Sequence, residues 1–147
     1  MTRKVSLEQC QAFYNELFKQ SDNLYRSAAA RFGISVSALD ILYALWEEDG
    51  CSQKRICELC FVSKQTVNSS LRKLEREGFV TLSDLGTREK QVFLTEKGHA
   101  LAKRSAARVV EAEKKALTVF DEQERETIVR LGERYIRSLK ANMEELV

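Results

Sequence analysis

Residues 63 to 76 and the cysteines carry most of the chemistry that the types and spacings of this 147-residue chain offer. Cys57 and Cys60 form a C-x2-C pair with Cys51 six residues upstream, a pattern compatible with zinc, an iron–sulfur cluster or a redox couple. Three thiols lack an evident fourth ligand. A helix through this stretch also puts Cys60 on its buried stripe and Cys57 at the margin, so packed, inert thiols are expected. His99 is the only histidine and would have to serve any Ser-His-Asp triad. In the first turn of a helix it reads as structural or phosphate-facing. With no carboxylate pair, metal set or phosphate loop in view, the expectation is a protein that is not an enzyme and holds no metal or cofactor.

The stretch opened by Ser63 offers recognition instead. If Val67, Ser70, Leu71 and Leu74 face a core, the opposite side of the helix shows Gln65, Asn68, Ser69, Arg72 and Arg76, with Lys64 and Thr66 near its start. Gln and Asn can pair bidentately with adenine edges and Arg with guanine, while Ser, Thr and Lys reach phosphates at the positive end of the helix dipole. Any solvated helix face is polar. What sharpens the reading is a first turn, Ser63-Lys64-Gln65-Thr66, without an acid, where helix-dipole physics ordinarily favours one.

The elements that must position these residues follow from periodicity. Cys10, Phe13, Tyr14, Leu17, Leu24, Tyr25, Ala28 and Phe32 recur at helical spacing up to a capping Gly33. Ser37 with Asp40 resembles a capping box for a second helix bearing Leu39, Leu42, Leu45 and Trp46. Ser52 opens a third with Ile56, Leu59 and Cys60 inward. Ser63 opens the fourth after a tight connection at Phe61-Val62. The period then changes: Phe79-Leu82 and Gln91-Leu94 read as strands around a polar tip, from which Arg88 and Lys90 project toward a minor groove or the flanking backbone. Thr95 caps a long helix with Gly98, Leu101, Ala102, Ser105, Val109, Ala112, Ala116 and Val119 inward, and Asp121 with Glu124 opens the last. The expected order is α-α-α-α-β-β-α-α, a mainly α (α+β) winged helix-turn-helix with long terminal helices.

Composition sets the bounds. The chain is long enough for one domain with a real core, 1–147, in which 35–98 would be the winged lobe and 1–34 with 99–147 a helical dimerisation region. Proline is absent and glycines number 6, which favours uninterrupted helices. No apolar run reaches the length of a membrane span and no secretory pattern opens the chain, so a cytoplasmic protein with reduced cysteines and no membrane partner is expected. The net charge of +2 is small, yet residues 52–104 hold 11 bases against 6 acids while the flanks hold 13 against 16. The positive charge is central, where the polar helix and hairpin lie.

The runs Leu42 to Gly50, Ser52 to Gly78 and above all Arg88 to Gly98, ending Leu94-Thr95-Glu96-Lys97-Gly98, resemble the MarR family of bacterial regulators. The resemblance spans essentially the whole chain. It implies a dimer bound to a pseudo-palindromic operator in double-stranded DNA, usually as a repressor released by a small ligand or by oxidation. One departure stands out: family wings commonly carry an aspartate two residues before the arginine matching Arg88, and here that place holds Gly86, leaving Asp84 or Glu89 to steady the wing. Cys10-Gln11-Ala12-Phe13-Tyr14 is similar to the peroxide-sensing branch of the family, in which the Tyr14 hydroxyl would stabilise a Cys10 thiolate. A packed cysteine is the alternative.

Apolar surplus on the terminal helices, such as Ile128, Val129, Leu131, Tyr135, Ile136 and Leu139, predicts a two-fold interface that sets the reading helices about 34 Å apart. Tyr25, Phe32, Tyr43 and Trp46 either line a pocket for a small aromatic effector or serve as ordinary core aromatics. The competing function is a winged helix that contacts another protein and has no DNA site of its own.

Overall fold

The computed structural model describes residues 4–60, 62–84, 86 and 88–147; Phe61 of the expected tight connection and Leu85 and Thr87 of the hairpin tip lie outside the described residues. The elements are α1 (Leu7–Phe32), α2 (Val36–Glu47), β1 (Cys51–Ser52), α3 (Gln53–Cys60), α4 (Lys64–Arg76), β2 (Val80–Ser83), β3 (Gln91–Leu94), α5 (Glu96–Arg104), α6 (Ala106–Leu117) and α7 (Glu122–Glu144). They form two compact units, residues 1–109 and 110–147. Among the described residues no single helix is long and apolar enough to cross a membrane.

The first unit is a winged helix. Helix α2 is its centre: Ala38, Leu39, Ile41, Leu42, Ala44 and Leu45 are all buried, more than one stripe, because α1, α3, α4 and α5 all pack on it. Ile56 of α3, Val67, Leu71 and Leu74 of α4, Val80, Val92 and Leu94 of the strands, and Leu101 and Ala102 of α5 complete the core. The sheet is antiparallel in the order β1-β3-β2, with Val80 opposite Leu94, Ser83 opposite Gln91, and Cys51 opposite Val92. Strand β1 is absent from the sequence expectation. Two residues are too few to show an alternating pattern, and only the arrival of β3 supplies its hydrogen bonds.

Several local readings are corrected. The cap of α2 is Ser35, whose Oγ accepts from the Ala38 N–H at 3.1 Å. Ser37 is instead inside the helix, where its hydroxyl accepts from Ser70 Oγ at 2.7 Å and ties α2 to α4. Trp46 and Leu59, expected inward, are exposed by 39% and 36%. The single long helix after Thr95 is broken at Ser105, a fully buried serine whose hydroxyl donates back to the Leu101 carbonyl at 2.6 Å and whose backbone leaves helical geometry. Beyond the break, Ala112, Ala116 and Val119 are exposed. Helix α1 begins in a capping box from Ser6 and Gln9 and ends at Gly33, whose left-handed φ of 71° lets its N–H reach back to Ala29 and Ala30. It buries only Ala29, so Phe13, Leu17 and Leu24 of the expected stripe lie exposed.

In the second unit α7 starts from the expected capping box, Asp121 Oδ1 accepting from the Glu124 N–H and Glu124 Oε2 from the Asp121 N–H, both at 2.9 Å. None of its residues is buried, although Ile128, Val129, Leu131, Tyr135 and Ile136 lie along it.

Candidate nucleic-acid interface

Helix α4 begins at Ser63 because this residue takes an extended backbone and its Oγ accepts from the Thr66 N–H at 3.2 Å; the Ser63 and Thr66 hydroxyls also pair at 2.9 Å. The helical period then turns Val67, Leu71 and Leu74 inward, each no more than 3% exposed, and the Ser70–Ser37 bond fixes the rotation of the helix against α2. What remains outside is the expected set. Lys64, Gln65, Thr66, Ser69 and Arg72 are exposed and Asn68 is half-buried.

Gln65, Asn68, Ser69 and Arg72 line one shallow groove of about 510 Å³ together with Glu75 and Arg76. Glu75 is the residue that sequence reasoning missed. Its position, three after Arg72 on the same face, was the available signal, since side chains three and four apart are helix-surface neighbours. The first turn of α4 has no acid and its last turn carries Lys73 and Arg76.

The hairpin is held to the same lobe from three sides. Asp49 Oδ1 accepts from the Gly50 and Leu94 N–H groups at 3.0 and 2.9 Å, while Asp49 Oδ2 lies 3.3 Å from His99 Nε2. Thr95 caps α5, donates its hydroxyl to the Gly78 carbonyl at 2.6 Å, and bonds through its own N–H to the Phe79 carbonyl at 3.0 Å. Lys97 reaches the Glu77 carbonyl at 2.6 Å, its ammonium 4.4 Å from the centre of the Phe79 ring. From this base the tip extends with Arg88 and Lys90 exposed. Lys90 and Lys64, far apart in sequence, line one cleft between α3, the start of α4 and the hairpin.

The cysteines are free and separate into different environments. Cys60 donates to the Asp40 carbonyl at 3.4 Å, and burial pushes its thiol up to about 12. Cys51 is buried within strand β1 of the sheet and its thiol is also raised, by burial first and then by the Glu48 charge. Cys57 lines the cleft beside Lys64 and Lys90. Among the described residues no group of three or more His, Cys, Asp or Glu side chains is arranged to hold a metal ion.

The other expected residues lie away from α4. Cys10 is exposed on α1, and the half-buried Tyr14 ring stacks edge-on with Phe13 and near Phe18. Phe32 and Tyr43 are partly buried against the core, Phe32 with the Arg108 guanidinium 5.8 Å from its ring centre, whereas Tyr25 and Trp46 are exposed.

Comparison with known proteins bears on the same region. A family profile described as the MarR family matches residues 32–89, the span from the end of α1 to the hairpin tip. The chain is 37% identical over 79 residues to the HTH-type transcriptional regulator TtmR of Methylorubrum extorquens, a match covering 52% of this chain and 40% of that protein's length. Among solved structures it is similar to NMB1585, a MarR family regulator from Neisseria meningitidis, with a TM-score of 0.79 at 20% identity, covering 96% of this chain and 98% of that one. A MepR–DNA complex from S. aureus superposes with a TM-score of 0.67 at 22% identity over 92% of this chain and 99% of that one.

Proposed function

We propose that this chain, whose residues 32–89 match the MarR family, is a member of that family and a sequence-specific DNA-binding transcriptional regulator, a repressor that works as a homodimer. The observation that carries the reading is the outer face of α4, an acid-free opening turn followed by Gln65, Asn68, Ser69 and Arg72 along one groove, on a helix whose other side is locked into the core. A helix anchored in this way enters a major groove as a rigid body. Gln65 and Asn68 then read adenine edges, Arg72 reads guanine and Ser69 an adjoining base, while Ser63, Lys64 and Thr66 position the helix on phosphates. Arg88 and Lys90 contact the backbone or the minor groove from the hairpin. That a protein of this fold forms a complex with DNA supports the same placement.

The apolar side chains that α7 leaves uncovered, with those of α1, support a second copy of the chain as their partner. Two-fold pairing matches an inverted repeat with half-sites about 34 Å apart. Release belongs to the same proposal, through a small aromatic ligand or an oxidant, and the exposure of Cys10 supports the oxidant route.

The test is selection of bound duplexes from a random pool, followed by titration of variants. Arg72→Ala should weaken the selected site by about 1–3 kcal/mol and relax preference at one base pair, because a bidentate base contact is lost. Lys90→Ala should weaken all sequences alike and lower the salt slope by about one. Binding that is absent or insensitive to salt favours a protein-contact module instead.

A further inference from the structure

Helix α4 holds 13 residues, of which Glu75 alone is acidic. It stands in the last turn, where the helix dipole leaves partial negative charge and a carboxylate is disfavoured. Among the described residues its side chain makes no ion pair and no hydrogen bond that would offset this cost. Arg72, three residues earlier, is its one basic neighbour on the helix surface, and the two do not pair. Glu75 is exposed and adds nothing to the core. The fold therefore gives no reason for this carboxylate, yet it lines the groove of about 510 Å³ shared by Gln65, Asn68, Ser69, Arg72 and Arg76. The helical period sets it two turns beyond Asn68, so these two form one rim of the face while Gln65, Arg72 and Arg76 run along its middle.

A carboxylate on a surface that meets DNA has one strongly unfavourable neighbour, the phosphate, and one favourable one, the amino group of cytosine in the major groove. An unneutralised charge confers specificity when it penalises wrong complexes more than the right one. We propose that Glu75 is a specificity-determining residue that acts by rejection. Its carboxylate opposes phosphates wherever α4 rests on the backbone of an unrelated duplex, and accepts from a cytosine amino group where a matching site admits the helix into the major groove. The inference rests on the proposed reading of DNA by α4 and gives that face its repulsive member. Gln65, Asn68 and Arg72 add affinity for the right bases, and Glu75 removes affinity for the rest. Loss of an ordinary contact weakens binding, whereas loss of Glu75 tightens it on unrelated DNA.

The experiment titrates the full-length protein, Glu75→Gln and Glu75→Asp against the duplex selected from a random pool and against a shuffled duplex of the same length and composition, at low and at physiological salt. Glu75→Gln should bind the shuffled duplex about fivefold tighter at low salt, the factor carried by one unit-charge pair at contact distance in water. Salt should narrow that gain by screening. On the selected duplex the same variant should bind no more tightly than the parent, so discrimination falls by about fivefold or more. Glu75→Asp keeps the charge and should hold the shuffled duplex at parental affinity. A gain in affinity cannot come from a misfolded variant. Selection repeated with Glu75→Gln should lose a cytosine preference at one position in each half-site. Unchanged or weaker binding of the shuffled duplex, or equal tightening on both duplexes, overturns the rejection. A variant that keeps every base preference overturns the cytosine contact. Either result with a parent that still discriminates leaves the proposed function standing, whereas a parent that binds no duplex refutes that function and this role with it.

Discussion

Gly98 is the third residue of α5, and the usual helix rule predicts that alanine there would be stabilising by up to about 1 kcal/mol. The structure reverses the sign. A Cβ built on Gly98 would stand 1.8 Å from the Phe79 carbonyl oxygen and 2.9 Å from its carbon, where real Cβ contacts begin at 3.0 Å. The start of α5 would therefore have to retreat by about 1.2 Å from backbone that has no side-chain freedom to yield. That retreat strains the Thr95 N–H bond to the same Phe79 oxygen (3.0 Å), the Thr95 hydroxyl bond to Gly78 (2.6 Å) and the Lys97 bond to Glu77 (2.6 Å). With about 1 kcal/mol for each of two or three weakened bonds and about 1–3 kcal/mol for overpacking, less the propensity gain of about 1 kcal/mol, Gly98→Ala should cost roughly 2–5 kcal/mol. Urea unfolding followed by tryptophan fluorescence reads this as a midpoint lowered by about 1–2.5 M with an unchanged slope of about 2 kcal/mol per M. A midpoint equal to or above that of the unmodified protein would refute the close approach of α5 to Phe79.

The remaining expectations come from a helix cap and two carboxylates, Asp49 and Asp40. Ser63→Ala should cost about 1 kcal/mol by leaving the Thr66 N–H without its acceptor, and should raise amide exchange in the first turn of α4 more than in α2. Asp49→Ala removes the acceptor of the Leu94 N–H and should cost about 1–3 kcal/mol, with exchange at Leu94 accelerating before that at Val80. Burial, and then the Asp22 charge, raises the Asp40 carboxyl above its ordinary 3.8, so its ionised form is the costlier one in the fold. Its penalty on stability is therefore absent below 3.8, grows as pH rises from 3.8 toward the higher folded-state value, and is complete above that value. Asp40→Asn should unfold at higher urea than the parent near neutral pH, with the gain shrinking to nothing in acid; a pH-independent difference would show that ionisation is not its cause.

Much of the outer face of α4 was legible in the chain, because it depends on interactions within a few residues. Ser63 caps its own next turn, the spacing of Val67, Leu71 and Leu74 sets which side is buried, and the polar residues fall opposite by geometry alone. The same holds for the Asp121–Glu124 box and for the Gly33 cap. Neighbours distant in sequence decided the rest. Ser35 rather than Ser37 caps α2 because Ser70 of another helix engages the Ser37 hydroxyl. Strand β1 exists only where β3 meets it. The cleft at Cys57 draws on residues from Gln53 to Lys90, which no period or spacing connects. Local hydrogen bonds and side-chain period specify helices and their faces, whereas a concave site requires separate elements to close around it, and that closure is a property of the packed core.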